Sequence, residues 1–209
     1  MINVLCLFLE RVPKISKVDL AFAITATSST AEESFGKMKE TINDILNQLG
    51  QRHVKYGLIV FGTSAAIKVN FKDNFTKDDD LRKFINSVPR SRGRPDFAKA
   101  LREAKNLFDG SGRPEAKKVL ILITDAKSSN SMEDIKTASV SLESSVIRVI
   151  SIAVGDEADS EELEAITPLN KDLLVSDEDE LSPQLAKKIM NRLVKGSLLI
   201  PTIKFFFLT

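Results

Sequence analysis

Residues 117–129 read KKVLILITDAKSS. Two lysines lead into an unbroken aliphatic run, Val119 to Ile123, which ends in Thr124 and Asp125 and is followed, after Ala126 and Lys127, by the hydroxyls of Ser128 and Ser129. The run is too short for a helical stripe and shows no polar alternation. It reads as a strand buried on both faces, the kind that sits at the centre of a parallel sheet. The Asp at its carboxyl end matters, because open α/β sheets bind ligands beyond the carboxyl ends of their strands.

Outward from this strand, the pattern alternates between strands and helices. Val18–Thr25 is a second apolar strand, with Leu20, Phe22 and Ile24 on one face and Ala21 and Ala23 on the other. Phe35, Met38, Ile42, Ile45, Leu46 and Leu49 recur at helical spacing, which predicts a helix over 31–49. Thr30 and Glu33 form a capping box at its start, and Gly50 ends it. Val54–Phe61 is a strand broken by Gly62, and Ala65–Phe71 follows closely enough to pair with it as a hairpin. Further helices are expected at 78–87, 96–109, 132–145, 160–166 and 180–194, the last carrying Leu181, Leu185, Ile189 and Leu193 on one stripe. Val146–Val154 and Leu173–Val175 complete the strands. The expected fold is α/β: a doubly wound, mostly parallel six-stranded sheet with one antiparallel edge strand and helices on both faces.

Composition narrows the function. The chain has 209 residues, 43% hydrophobic and 28% charged, with a net charge of +1. Such a balance gives no drive toward nucleic acid or anionic membranes. Cys6 is the only cysteine and His53 the only histidine, so intrachain disulfides, cysteine zinc sites and multi-histidine clusters are excluded. No Gly-rich phosphate loop is present, and His53, read as a surface or strand-edge residue, is far from the strand ends where a nucleophile would need it. A non-enzymatic role is expected.

The termini differ from the middle. Residues 2–9, INVLCLFL, lack a basic segment before them and read as an extra edge segment rather than a complete secretory signal. Residues 197–208, SLLIPTIKFFFL, are apolar but shorter than the ~18–20 residues a membrane span needs. The expected organisation is a non-domain segment over 1–16, one domain over 17–195 and an apolar tail over 196–209.

Three segments converge on the carboxyl edge of the sheet: Thr25-Ala26-Thr27-Ser28-Ser29, Ser91-Arg92-Gly93-Arg94-Pro95-Asp96, and Thr124-Asp125. Their surroundings carry a family likeness. VDLAFAITATSST, VKYGLIVFGTSAAIKVNF, GRPDFAKALREAKNLF, KKVLILITDAKSS and VIRVISIAVGD followed by EELEAI resemble, in order and spacing, the von Willebrand factor type A domain over roughly 17–195. The likeness is to the extracellular-matrix branch of collagens, matrilins and integrin inserted domains. It implies a doubly wound domain that binds protein ligands at its top face, in adhesion or matrix assembly outside the cell.

In that family the top face usually holds Mg²⁺ or Mn²⁺ in a metal-ion-dependent adhesion site. An Asp-x-Ser-x-Ser segment, a threonine from a middle loop and an Asp after the fourth strand supply the oxygens. By this resemblance Thr25 stands in place of the first Asp, Thr27 in place of the first Ser, and Ser29 keeps the second Ser. Pro95 replaces the threonine, and Asp125 is retained. One carboxylate of two remains. A divalent ion favours hard, charged oxygen ligands, so weak or absent metal binding is expected. Asp96 has two readings, a substitute metal ligand or the cap of the helix that starts there.

The middle loop also gains arginines at 90, 92 and 94. Arg92 or Arg94 beside Asp125 would replace the missing cation with a charge-assisted hydrogen bond. The same loop offers a contact patch for a matrix or cell-surface protein or a sulfated glycan, and its plain alternative is a solvated loop. Asn74-Phe75-Thr76 is an N-glycosylation sequon in a loop. The competing reading of the whole chain is an intracellular scaffold subunit of a larger complex, which glycosylation and secretion would separate from the matrix reading.

Overall fold

β1 (Val18–Thr25) lies inside the sheet, between β2 (Val54–Phe61) and β4 (Lys117–Thr124). The computed structural model describes residues 17–27, 32–50, 52–73, 75, 78–90, 93–154, 157–167 and 173–176, with the backbone alone at 78 and 173–176. β3 (Ala65–Val69), β5 (Ile147–Val154) and β6 (Leu173–Ser176) complete a six-stranded sheet of order β3-β2-β1-β4-β5-β6. Every neighbouring pair is parallel except β2–β3, the edge hairpin that the short Gly62 turn requires. The expected helix at 180–194, both apolar termini and the capping residue Thr30 lie outside the described residues.

Strand alternation divides the core in two. Leu20, Phe22 and Ile24 face α1 (Glu32–Leu49) and α2 (Asp78–Ser87), meeting Met38, Ile42, Ile45 and Ile85. The opposite face meets α3 (Phe97–Ser111), α4 (Met132–Ser144) and α5 (Ser160–Ile166). Here the sheet is thin. Ala21 pairs in register with Gly57, and Ala23 lies on the same face. A Cβ on Gly57 would meet Leu107 Cδ2 at 2.6 Å, so the glycine lets α3 close onto the sheet. Ala98, Ala100 and Ala104 answer it from the helix, all fully buried.

Several element ends differ from expectation for local reasons. β3 stops at Val69 because the Asp73 carboxylate accepts from Asn70 N and Nδ2, at 2.8 and 2.7 Å, which turns the chain early. β4 starts at Lys117 rather than Val119, since Lys117 N donates to Lys17 O at 2.9 Å and extends the ladder. α3 continues past Gly110 to Ser111 and closes with Gly112 N on Phe108 O.

At the amino-terminal edge of the sheet, the fully buried Asp19 is held by Arg113. The Arg113 backbone N donates to Oδ2 at 2.5 Å and its Nε to Oδ1 at 2.7 Å. Its Nη2 also donates to Val18 O at 2.8 Å, tying the α3–β4 connection to the start of β1. His53, whose carbonyl accepts from Val18 N at 3.0 Å, belongs to this edge and not to the ligand edge. Among the described residues no helix is long and apolar enough to cross a membrane.

Candidate ligand site at the carboxyl edge

Parallel pairing of β1 with β4 sets Ile24 opposite Ile123, so Thr25 and Thr124 leave the sheet side by side. Thr25 is fully buried, and its hydroxyl donates to Ile123 O at 3.3 Å. Ala26 N donates to Phe61 O at 2.8 Å, and Thr27 is fully buried behind it. Asp125 follows β4 directly and is half-buried. Thr25, Thr27 and Asp125 therefore reach one edge, as the sequence predicts. Ser29 lies outside the described residues.

The middle loop is drawn onto the same edge by backbone bonds. Asp96 N donates to Gly62 O at 2.9 Å. The Pro95 carbonyl accepts from Ser129 N at 2.7 Å and Ser129 Oγ at 2.9 Å. Pro95 thus lacks a side-chain oxygen but uses its carbonyl to join the β4–α4 loop. Gly93 adopts φ +103°, and a Cβ there would meet Thr63 Oγ1 at 1.8 Å, so this turn admits only glycine.

Of its two readings, Asp96 takes the cap. Its Oδ1 accepts from Lys99 N at 2.8 Å, and Lys99 Nζ lies 2.9 Å from Oδ2. Burial pushes its carboxyl up, but the hydrogen bonds from the Lys99 backbone, the Lys99 ammonium and Asn130 outweigh it and hold the group below the ordinary carboxylate range. Lys99 Nζ also reaches Thr63 O at 2.9 Å, which anchors the β2–β3 turn.

The arginines part company. Arg90 faces Glu32 at 3.8 Å. Arg94 is exposed, and its charge favours ionised Glu162. Arg92 and Asn74 lie outside the described residues.

Glu162 is the residue that sequence reasoning missed. It sits in the first turn of α5, buried, and its Oε2 accepts from Ser128 N at 2.7 Å. Ser128 Oγ donates to Asn130 Oδ1 at 2.9 Å, and Asn130 Oδ1 accepts from Ala98 N at 3.0 Å. One carboxylate therefore fixes the β4–α4 loop, which in turn fixes the start of α3. Burial raises the Glu162 carboxyl above its ordinary range, with Asp159 adding to the shift and the Ser128 bond, Lys127 and Arg94 opposing it. Its acid-rich context, EADSEELEAI, gave no signal beyond a helix start. Asp159 caps α5 through Glu161 N and Glu162 N and pairs with Lys127.

Among the described residues, the oxygens of the set are partly committed to the chain itself. Thr25 donates to the backbone, Asp96 is turned to Lys99, and Pro95 offers no side-chain oxygen, which leaves Asp125 as the carboxylate of the set. Among the described residues no group of three or more His, Cys, Asp or Glu is placed to hold a metal ion.

An open sheet of this order, with its polar loops latched at the carboxyl edge and no phosphate loop, defines a doubly wound α/β binding domain. The chain belongs to the von Willebrand factor type A domain family, whose model matches residues 19–189. It is 25% identical over 192 residues to the collagen alpha-6(VI) chain of Mus musculus, covering 88% of this chain and 8% of that one. It is 26% identical over 112 residues to integrin alpha-M of Mus musculus, covering 52% of this chain and 10% of that one. The chain therefore spans a small fraction of these relatives. Among solved structures, proximal thread matrix protein 1 from the mussel byssus superposes with a TM-score of 0.75 at 23% identity, over 84% of this chain and 47% of that one. That protein is also known with a zinc-occupied adhesion motif. BatB from Bacteroides thetaiotaomicron superposes with a TM-score of 0.69 at 17% identity, over 87% and 99%.

Proposed function

We propose that this chain is a non-catalytic protein-binding module of cell adhesion or extracellular-matrix assembly, acting outside the cell, and that its carboxyl-edge face binds with weak or no dependence on divalent metal. The observation that carries the reading is the latch through the Pro95 carbonyl and Ser129. It joins two ligand loops by hydrogen bonds of the chain itself, at the edge where the family's relatives gather their site residues. Family membership and the likeness to collagen VI and integrin chains support the adhesion role. Asp125, Arg92, Arg94 and the latched Pro95–Asp96 corner form the proposed contact surface, for an extracellular-matrix or cell-surface protein or a sulfated glycan. Asn74 is its proposed glycosylation site, and 17–195 the folding unit.

The test is surface binding of the full chain to a panel of immobilised matrix proteins and heparin, with Mg²⁺ or with EDTA. Saturable binding that survives EDTA and falls in Asp125→Ala or Arg94→Glu supports the reading. Binding abolished by EDTA overturns its metal independence, and binding indifferent to both substitutions overturns the face.

A further inference from the structure

Asp125, Ala126 and Lys127 form a short span between two fixed points. Thr124, the last residue of β4, is one. Ser128 is the other, because its N donates to the Glu162 carboxylate at 2.7 Å and both residues are buried. A span of this length reaches about 10 Å at most, so the place of Ser128 limits the place of Asp125.

Ser128 also adjoins the latch on its other side. Ser129 N donates to Pro95 O at 2.7 Å, and Phe97 N donates to Ser128 Oγ at 3.4 Å. Asn130 Oδ1 accepts from Ser128 Oγ at 2.9 Å and from Ala98 N at 3.0 Å. The Glu162 bond therefore falls between Asp125 and the Pro95–Asp96 corner, two parts of the proposed contact surface. Lys127 ties the same loop to α5 through Asp159, but that pair is solvent-exposed and holds weakly.

α5 needs no carboxylate for its own docking. Leu163 and Ile166, both fully buried, pack it on the sheet, and Asp159 caps it. Burial works against the ionised form of Glu162. An apolar side chain of the same length would pack α5 without that cost. What the carboxylate adds is an acceptor for one amide of a loop 34 residues away.

We propose that Glu162 is a positioning residue for the carboxyl-edge face: by holding Ser128 it sets Asp125 and the Pro95–Asp96 corner in the arrangement a ligand meets, without touching the ligand itself. This rests on the reading that the carboxyl edge binds a protein or a sulfated glycan. It makes α5, the connection to the edge strand β6, the element through which that face is held.

The experiment compares the full chain with Glu162→Met and Glu162→Gln. Methionine matches glutamate in length and keeps the packing of α5 but offers Ser128 N only a weak acceptor, whereas glutamine keeps an oxygen. Amide hydrogen exchange is read at Ser129 and Ala98, one step removed from the substitution, and at Phe22 in the middle of the sheet. In Glu162→Met, exchange at Ser129 and Ala98 is expected to rise about tenfold more than at Phe22, with Glu162→Gln close to the parent. Binding to immobilised heparin, collagen and fibronectin is measured beside it. The affinity of the parent for whichever of these it binds is expected to fall about tenfold in Glu162→Met and to return in Glu162→Gln. An equal rise at all three amides, global unfolding included, would make Glu162 a general stabiliser and overturn the proposal, as would an affinity unmoved in Glu162→Met. A parent that binds none of the three probes overturns instead the reading of the face, and the proposal falls with it.

Discussion

The Thr25 hydroxyl donates to the Ile123 carbonyl at 3.3 Å, across the seam between β1 and β4. The residue at the head of the ligand loop is thus committed to the sheet backbone. A carboxylate there would lose that bond and bury a charge, which costs more than the about 1–3 kcal/mol of a neutral group left unpaired. Thr25→Asp should therefore lower Tm in EDTA. With Pro95→Thr added, the oxygen set regains a second carboxylate and a hydroxyl, and millimolar Mg²⁺ should restore Tm in the double variant while leaving the parent unmoved. Thermal melts with and without Mg²⁺ decide it, and a double variant that ignores Mg²⁺ would show that the backbone of the loop no longer suits an ion.

Glu162 allows a pH test with a definite sign. Its carboxyl is raised in the folded state, so folding binds a proton there. The stability this contributes is full below the ordinary glutamate range and is lost as pH rises through the raised value. Glu162→Gln keeps an acceptor for Ser128 N and removes the buried charge. Its stability relative to the parent should be most favourable at pH 7 and decline toward pH 4. Glu162→Ala removes the acceptor and should cost about 1–3 kcal/mol at either pH. Urea midpoints at the two pH values distinguish these outcomes.

Legibility from sequence followed the range of the interactions. β1 and β2 have the bounds that hydrophobic pattern predicts, because burial on both faces leaves an unbroken signature. The stop of α1 at Gly50, with φ +59° and its N on Leu46 O at 2.9 Å, was also visible, since both partners lie within about one turn. The Asp19–Arg113 pair was not, because its members are 94 residues apart and neither has a distinctive neighbourhood. Glu162 was hidden likewise, 34 residues from Ser128, in a segment where acids are expected at any helix start. At the ligand edge the sequence located Thr25, Thr27 and Asp125, but which way Asp96 turns is decided by Lys99 and Gly62 in three dimensions.

Asp96 responds to acid in the opposite sense to Glu162. Its carboxyl is depressed in the folded state, so its contribution is present above the ordinary aspartate range and is lost as pH falls through the depressed value. Asp96→Ala should destabilise by about 1 kcal/mol at pH 7 through loss of the α3 cap. The difference from the parent should shrink in acid. Asp96→Asn keeps the Lys99 N bond and should cost less at pH 7. A larger loss in Asn than in Ala would mean that the carboxylate serves something other than the cap.

Arg113 supplies the last test, at the edge remote from the ligand loops. Asp19 is fully buried, and Arg113 provides its side-chain counter-charge together with a backbone donor. Removing the guanidinium leaves a buried carboxylate with only part of its compensation, and breaking such pairs costs about 3–5 kcal/mol. Arg113→Ala should lower the urea midpoint sharply with the slope unchanged. Asp19→Asn in that background should recover part of the loss, because the uncompensated charge is then gone while Arg113 N keeps an acceptor. The two edges of the sheet are about 25 Å apart at the rise of an extended strand, so this loss should add independently to that of Glu162→Ala. Non-additivity of the double variant would mean that the sheet transmits strain from one edge to the other, and binding at the carboxyl-edge face would then have to be measured in Arg113→Ala as well.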